Sequence, residues 1–109
     1  MRCITQIRFS NSPEHDAYGF GRGIVQLLEG VREYGSINQA TKSMGMAYSK
    51  AWKIINAIEE EFQIRLIERD GARGSAVTPE AEALISRYHE ALAAADAAAE
   101  AVFRRYYPD

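Results

Sequence analysis

A group of hydrogen-bond donors and cations between residues 48 and 56 carries the clearest chemical signal in this sequence. At about 100° per residue of a helix, Ser49, Lys53 and Asn56 share the face opposite an apolar stripe. Such side chains bind phosphates and hydrogen-bond to base edges when one helix face presents them. The spacing therefore predicts a DNA-reading helix with Ser49, Lys50, Lys53 and Asn56 as its candidate contacts.

The distribution of charge supports this prediction, although the total charge does not. The net charge of −2 at pH 7 argues at first against a nucleic-acid partner. Binding depends, however, on where the charges lie. Residues 36–57 contain Lys42, Lys50 and Lys53 and no acidic residue. A merely solvated basic face is the alternative interpretation, and a charge count alone does not decide between the two.

A second basic group follows in Arg65, Arg69 and Arg73. Arg69 and Arg73 flank a glycine-rich segment, where they suit contacts with the DNA backbone or the minor groove. Arg65 ranks lower, because it could instead pair with nearby glutamates. Ser36 and Lys42, on the preceding helix, complete the predicted DNA-binding set.

Two aromatic residues of this region, Tyr48 and Trp52, have two interpretations each. Aromatic side chains beside a core stripe usually pack. For Trp52 we favour packing against the second helix or the hairpin over a phosphate contact through the indole edge. Both residues are kept among the DNA-binding candidates.

The histidine and cysteine residues of the chain do not indicate catalysis or metal binding. His15 lies in a loop segment without a second anchored ligand, and His89 and Glu90 are adjacent and so do not face each other on a helix. The single Cys3 excludes a disulfide and fits a small hydrophobic residue better than a nucleophile. We expect no enzymatic activity, no metal and no cofactor.

Three helices are predicted to position the reading face. An apolar stripe from residue 24 predicts the first helix, which Gly35 ends. Ser36 and Gln39 have the S-x-x-Q form of a capping box and start a second helix of about two turns, ended by Gly45. A third helix follows, and the second and third together have the geometry of a helix-turn-helix. The buried stripe of the third helix is predicted to be Ala51, Ile54, Ile55, Ile58 and Phe62.

A hairpin is predicted after the third helix, with strands at residues 64–69 and 75–77 around a glycine-rich tip. It would be the wing of a winged helix-turn-helix. Thr78 as N-cap and Pro79 at the first helical position start the last helix. A further short strand is predicted at residues 4–9, followed by a loop to Gly23.

The last helix has apolar residues at alternating steps of four and three, the a/d pattern of a coiled coil. Its length of roughly 40 Å is too great for a domain of this size to cover. We therefore predict a homodimer, with an exposed monomeric helix as the alternative. The pattern begins at Ala81, and the predicted dimer interface comprises Ile85, Tyr88, Leu92, Ala95, Ala99, Val102 and Tyr106.

These elements assign the 109 residues to one mainly α domain with a small β wing, a winged helix-turn-helix with a long C-terminal dimerisation helix. Its parts are a strand and loop at 1–22, the core at 24–78 and the long helix at 79–106. Arg8 precedes any long apolar run, and acidic residues interrupt the alanine-rich stretch. We therefore expect no signal peptide, no membrane span and a cytoplasmic location.

Four sequence strings resemble the DNA-binding unit of the molybdate-responsive ModE family, which is itself similar to the LysR type. They are GSINQA at 35–40, MGMAYSKAWK at 44–53, LIER at 66–69 and VTPE at 77–80. The likeness covers about residues 20–106. It implies that the third helix lies in the major groove, that the wing touches the backbone and that the long helix forms a two-fold dimer.

Two departures from the family pattern limit what the resemblance implies. Ala47 stands where relatives often have a capping Ser, a difference of about 1 kcal/mol. The family's molybdate-binding domains have no counterpart in these residues, so we expect no molybdate binding. The predicted function is a homodimeric, sequence-specific regulator that binds double-stranded DNA. A winged-helix protein-interaction module is the alternative, and an effector-sensing switch would need a ligand site that the sequence does not show.

Overall fold

A computed structural model describes residues 1–11, 19–69 and 74–108. Within these residues, helices and a two-stranded sheet follow one another in the predicted order. They are α1 (Arg22–Tyr34), α2 (Ile37–Met44), α3 (Tyr48–Phe62), β1 (Ile67–Arg69), β2 (Ser75–Val77) and α4 (Pro79–Tyr106). This arrangement confirms the predicted winged helix-turn-helix with a long last helix.

The turn between α1 and α2 follows the predicted capping pattern. Gly35 ends α1 in the left-handed region, and the Ser36 hydroxyl accepts a hydrogen bond from the Gln39 N–H at 3.2 Å. The two helices also approach closely, since a Cβ on Gly30 would lie 2.9 Å from the Cβ of Ala40. A larger residue at position 30 would push α2, and with it α3, away from α1.

Helix α3 packs against α1 and α2 through its buried side. Ala51, Ile55 and Ile58 are fully buried, whereas Ile54 and Phe62 of the predicted stripe lie partly buried at the edge of the core. Ala47 provides no side-chain cap, as its residue type predicts. Gln63 ends the helix at φ 55°, so the chain turns sharply towards the wing.

The wing is an antiparallel pair that is shorter than predicted. Ile67 pairs with Val77 and Arg69 with Ser75. The predicted strand at 64–69 begins only at Ile67, because the Leu66 N–H donates to the Glu59 carboxylate at 2.8 Å instead of to a neighbouring strand. Of the predicted tip, residues 70–73 lie outside the described part of the chain.

Gly74 joins the wing to the end of α1. Its φ is 100°, and a Cβ there would clash with the carbonyl oxygen of Gly35. The same carbonyl accepts a hydrogen bond from the Ser75 N–H at 3.0 Å. Only glycine combines this backbone conformation with this approach, so β2 is held against the α1–α2 turn.

Helix α4 begins at a buried cap. The Thr78 hydroxyl accepts from the Ala81 N–H at 3.1 Å and donates to the Arg65 carbonyl at 2.5 Å. Pro79 occupies the first turn, as predicted. Early in the helix Ala81, Ile85 and Tyr88 enter the same core as α1 and α3. None of the helices within the described residues is apolar over a length that would cross a membrane.

The predicted strand at residues 4–9 is wrong. Phe9 and Phe20 form an isolated bridge with hydrogen bonds of 2.9 and 2.8 Å, and no regular ladder forms there among the described residues. Side chains dock this segment instead: the rings of Phe9, Phe20 and Tyr88 lie 6.3–6.5 Å apart. Strand-forming residue types do not by themselves form a strand, because a strand needs a neighbour with which to pair.

Candidate nucleic-acid interface

The outer face of α3 presents the predicted reading residues. Ser49, Lys50, Lys53 and Asn56 are exposed, on the side away from the buried stripe. Because the stripe fixes the rotation of the helix, these four side chains face solvent together. This face can offer hydroxyl, ammonium and amide groups to phosphates and to base edges.

Ser36 and Lys42, the predicted DNA-binding residues before α3, lie at the two ends of α2. The Ser36 hydroxyl already serves as the N-cap acceptor, which leaves its hydrogen available as a donor. Lys42 is exposed in the last turn of α2, where its charge also complements the helix dipole. Both positions fit phosphate contacts better than base reading, since neither lies on α3.

Aromatic and guanidinium contacts link α3 to the wing. The Arg69 guanidinium lies over the Trp52 ring, with Cζ 5.1 Å from the ring centroid. The Tyr48 ring meets Trp52 edge-on at 6.5 Å. Trp52 is partly buried and also packs against the core, so its side chain has the packing role favoured from the sequence, with the wing as its partner. Tyr48 remains 48% exposed.

The acidic run at residues 59–61 has a structural role that sequence reasoning missed. The Glu59 carboxylate accepts from the N–H groups of Leu66 and Ile67, and the Glu61 carboxylate accepts from the Ser10 hydroxyl and the Asn11 N–H. These acids hold the wing and the N-terminal segment against the last turn of α3. No sequence signal marked these contacts, because a glutamine does not predict the left-handed conformation with which Gln63 brings β1 back beside α3.

A groove of about 800 Å³ separates α3 from the wing. Arg65 and Arg69 line it from the wing side, and Trp52, Asn56 and Glu59 line it from α3. Within the described residues Arg65 forms no ion pair, so the predicted pairing with glutamates is not seen. Arg73 lies outside the described residues.

Several acids of the chain are paired with cations away from α3. Arg32 of α1 forms a bidentate ion pair with Glu82 of α4, and its hydrogen bonds lower the pKa of the Glu82 carboxyl. The same pair raises the pKa of Arg32. His89, expected to be solvated, lies 2.9 Å from a carboxylate oxygen of Glu29. The Arg32–Glu82 pair offsets acidic charge that would otherwise oppose an anionic partner.

The predicted dimer interface divides into two parts. Ile85 and Tyr88 are only 3% and 4% exposed within one chain, because they pack into its own core, and Leu92 packs at the edge of that core. These residues are therefore largely unavailable to a second copy. The available part of the pattern is Ala95, Ala99, Val102 and Tyr106, of which the last two are 50% and 72% exposed.

No group of three or more histidine, cysteine or carboxylate side chains with metal-binding geometry occurs at residues 1–11, 19–69 or 74–108.

Comparison with known proteins agrees with this geometry. The chain is 35% identical over 68 residues to the transcriptional regulator ModE of Haemophilus influenzae (strain ATCC 51907 / DSM 11121 / KW20 / Rd), a match that covers 59% of this chain and 27% of that protein. The chain thus spans about a quarter of the length of that relative.

Solved structures of LysR-type proteins share the fold. The BenM_DBD/benA site 1 DNA complex is 26% identical, with a TM-score of 0.58 over 75% of this chain and 94% of that one. The LysR family transcriptional regulator CbnR has a TM-score of 0.59 at 20% identity, over 75% of this chain and 28% of that one. Residues 24–82 match the bacterial regulatory helix-turn-helix proteins of the lysR family. This stretch runs from within α1 through α2, α3 and the wing into the first turn of α4 and exceeds half of the chain. The chain therefore belongs to the lysR family of bacterial regulatory helix-turn-helix proteins.

Proposed function

We propose that this chain is a cytoplasmic transcriptional regulator that binds double-stranded DNA in a sequence-specific manner as a homodimer. The observation that carries the proposal is the exposed set of Ser49, Lys53 and Asn56 on one face of α3, opposite a fully buried stripe. Lys50 is exposed beside this face. Membership of a helix-turn-helix family supports it, and so does the similarity to the BenM_DBD/benA site 1 DNA complex.

Helix α3 is assigned to base reading. Lys53 and Asn56 project from its exposed face, and an amide or ammonium that contacts a base edge discriminates between sequences. Ser36, Lys42 and Lys50 are assigned to phosphates near the ends of α2 and α3. Arg69 and Arg73 of the wing are assigned to the backbone or the minor groove.

The C-terminal half of α4 is assigned to the homodimer. Val102 and Tyr106 leave apolar surface in solvent, and the small side chains of Ala95 and Ala99 allow a second helix to approach closely. A two-fold dimer would place its two α3 helices on half-sites about 34 Å apart, or a multiple of that distance.

The test begins with selection of bound fragments from a random DNA library, followed by titration of the best fragment and of a scrambled one. Asn56→Ala and Lys53→Ala are expected to lower the ratio of specific to non-specific affinity, by about 1–3 kcal/mol for a bidentate base contact. Arg73→Ala should weaken binding to both fragments and reduce the salt dependence by about one phosphate contact. Arg87→Ala, which removes a cation from the exposed side of α4, is the control and should change neither.

Two results would contradict these assignments. Relaxed specificity in the wing variant with intact specificity in the α3 variants would reverse the two roles. Binding that is insensitive to salt and to all these variants would favour a protein-interaction module instead.

We also expect the 109-residue chain alone to bind no molybdate. Its match to the ModE relative covers only 27% of that protein. Calorimetric titration of molybdate should give no binding heat, and a saturable signal at micromolar molybdate would contradict the expectation.

A further inference from the structure

Three contacts attach the wing to the rest of the domain, each at a different point. At the base of β1, the Glu59 carboxylate accepts from the Leu66 N–H at 2.8 Å. At the start of β2, the Ser75 N–H donates to Gly35. At the far end of β1, Arg69 lies over the ring of Trp52. Arg69 and Ser75 pair with each other at the tip end of the wing. The Trp52–Arg69 contact is therefore the attachment that holds the tip end of β1, and the Gly35 contact holds that of β2.

The wing needs such attachments, because each of its strands has only three residues. An isolated two-stranded hairpin is marginally stable in water. The Glu59 contact fixes the base of β1 and the Gly35 contact fixes the tip end of β2. The tip end of β1 is left to the contact between Arg69 and Trp52. A guanidinium over an indole ring is a favourable cation–π contact with a preferred geometry.

We infer that Trp52 is a positioning residue that orients the wing towards DNA by holding Arg69 over its ring. The inference rests on the proposed DNA binding and adds a residue whose role there is indirect. A planar guanidinium that stacks through its face keeps its N–H edges free. Trp52 thus presents Arg69 in a preset orientation, which lowers the entropy lost when that side chain binds a phosphate.

Direct DNA reading by Trp52 fits the structure less well. The ring is partly buried, packs against the core and meets Tyr48 on one side and Arg69 on another. An indole has a single hydrogen-bond donor, which makes it a poor reader of base edges. Its surroundings suit a fixed support for the wing.

The first experiment needs no DNA. Trp52 is the single tryptophan of the chain, so its fluorescence reports this contact without interference. Arg69→Ala should shift the emission to longer wavelength and increase quenching by acrylamide, because one face of the ring becomes accessible. Arg65→Ala, which removes the same charge from the same groove, is the matched control and should change neither. Unchanged emission and quenching in Arg69→Ala would overturn the inference.

The second experiment is a double-mutant cycle on affinity for the selected DNA fragment. Trp52→Leu should weaken binding about two- to fivefold, the value expected for an exposed cation–π contact. In the Arg69→Ala background the same substitution should have no further effect, because Trp52 acts through Arg69. Trp52→Phe keeps a ring and should restore most of the affinity, whereas a general folding defect would not respond in this way.

Additive losses in the cycle would show that Trp52 contacts DNA independently and would overturn the inference. Circular dichroism melts of each variant identify any that fails to fold. Should the unaltered chain bind no DNA at all, the proposed function fails, and the fluorescence experiment still decides whether Trp52 holds the wing.

Discussion

The two halves of α4 continue one apolar pattern into different surroundings. In the first half Ala81, Ile85 and Tyr88 are at most 4% exposed, because α1, α3 and the N-terminal segment cover them. In the second half Val102 and Tyr106 are 50% and 72% exposed. The pattern of steps of three and four is the same in both halves, but among the described residues only the first half contributes to the buried core.

This difference shows that a heptad pattern specifies a covered helix face without specifying what covers it. The first half is stabilised by burial, at roughly 25 cal/mol per Å² of apolar surface. The second half depends on the helix propensity of its alanines and, in the proposed function, on a second copy. Substitutions in the first half should therefore change the folding equilibrium, and substitutions in the second half should change the monomer–dimer equilibrium.

The largest effect is expected from Ile85→Ala in the first half. Truncation of this buried side chain removes apolar contacts and leaves a cavity, which should lower the free energy of unfolding by about 2–5 kcal/mol. Chemical denaturation followed by circular dichroism measures the loss. Arg87→Ala, an exposed neighbour, should stay within about 0.5 kcal/mol. A loss of unfolding free energy below about 1 kcal/mol for Ile85→Ala would mean that burial in the core does not stabilise the first half of α4.

Thr78→Val should have the next largest effect, at the start of the same half. Valine keeps the shape of Thr78 but removes the cap on Ala81 and the hydrogen bond to the Arg65 carbonyl. The expected loss of unfolding free energy is about 1–3 kcal/mol. Thr78→Ser, which keeps the hydroxyl, is the control and should recover most of it. Equal losses in both variants would assign the effect to the methyl group.

Val102→Glu tests the second half. A carboxylate at this position would be buried without a partner in a dimer, so the dimer dissociation constant should rise about tenfold or more, equivalent to about 1.4 kcal/mol. Sedimentation velocity over a concentration series measures this constant. The neighbouring Ala101→Glu carries the same charge at an exposed position outside the seam and should dimerise normally. Leu92→Glu is a poorer choice, because Leu92 also packs against its own core.

The smallest effect concerns ion pairs that differ between the halves. Glu82 pairs with Arg32 of α1, whereas Glu100 pairs with Arg104 of the same helix at 2.7 Å. The Glu82 pKa is lowered from 4.5 by the Arg32 hydrogen bond, so its contribution is complete above pH 4.5 and is lost as the pH falls through the lowered value. Both groups are exposed, which limits the contribution to about 0.2–1 kcal/mol.

Glu82→Gln should therefore reduce stability at neutral pH and match the unaltered chain in acid. Urea denaturation at a series of pH values measures the difference, which 1 M salt should diminish. Glu100→Gln should change the helicity of the second half and leave the attachment of α4 to α1 intact. If the stability difference between Glu82→Gln and the unaltered chain did not change with pH, the lowered pKa of Glu82 would not contribute to stability.

The helices of this chain were predictable because their ends are encoded locally. Ser36 and Gln39, Gly45, and Thr78 with Pro79 are side chains or glycines that act within one turn of the boundary they mark. The bounds of α2 and α4 agree with these signals to the residue. The exposed face of α3 was predictable for the same reason, since its helical period of 3.6 residues places Lys53 and Asn56 opposite Ile55.

Contacts between distant segments were not predictable. The strand expected at residues 4–9 depends on whether another strand lies beside it, and the structure brings only Phe20 into register. The acidic residues Glu59 and Glu61 look solvated in the sequence but accept hydrogen bonds from backbone N–H groups of other segments. Charge and hydrophobicity alone carry no information about such neighbours.

The sequence by itself determined the order of the four helices and the wing, the ends of α2, the start of α4 and the exposed face of α3, because propensity, capping and periodicity act over a few residues. The tertiary structure alone decided which residues cover those faces. It buried Ile85 and Tyr88 within one chain, left Val102 in solvent and placed Arg69 over Trp52. The physical reason is that burial and stacking are properties of pairs of surfaces, and the second surface of each pair lies far away along the chain.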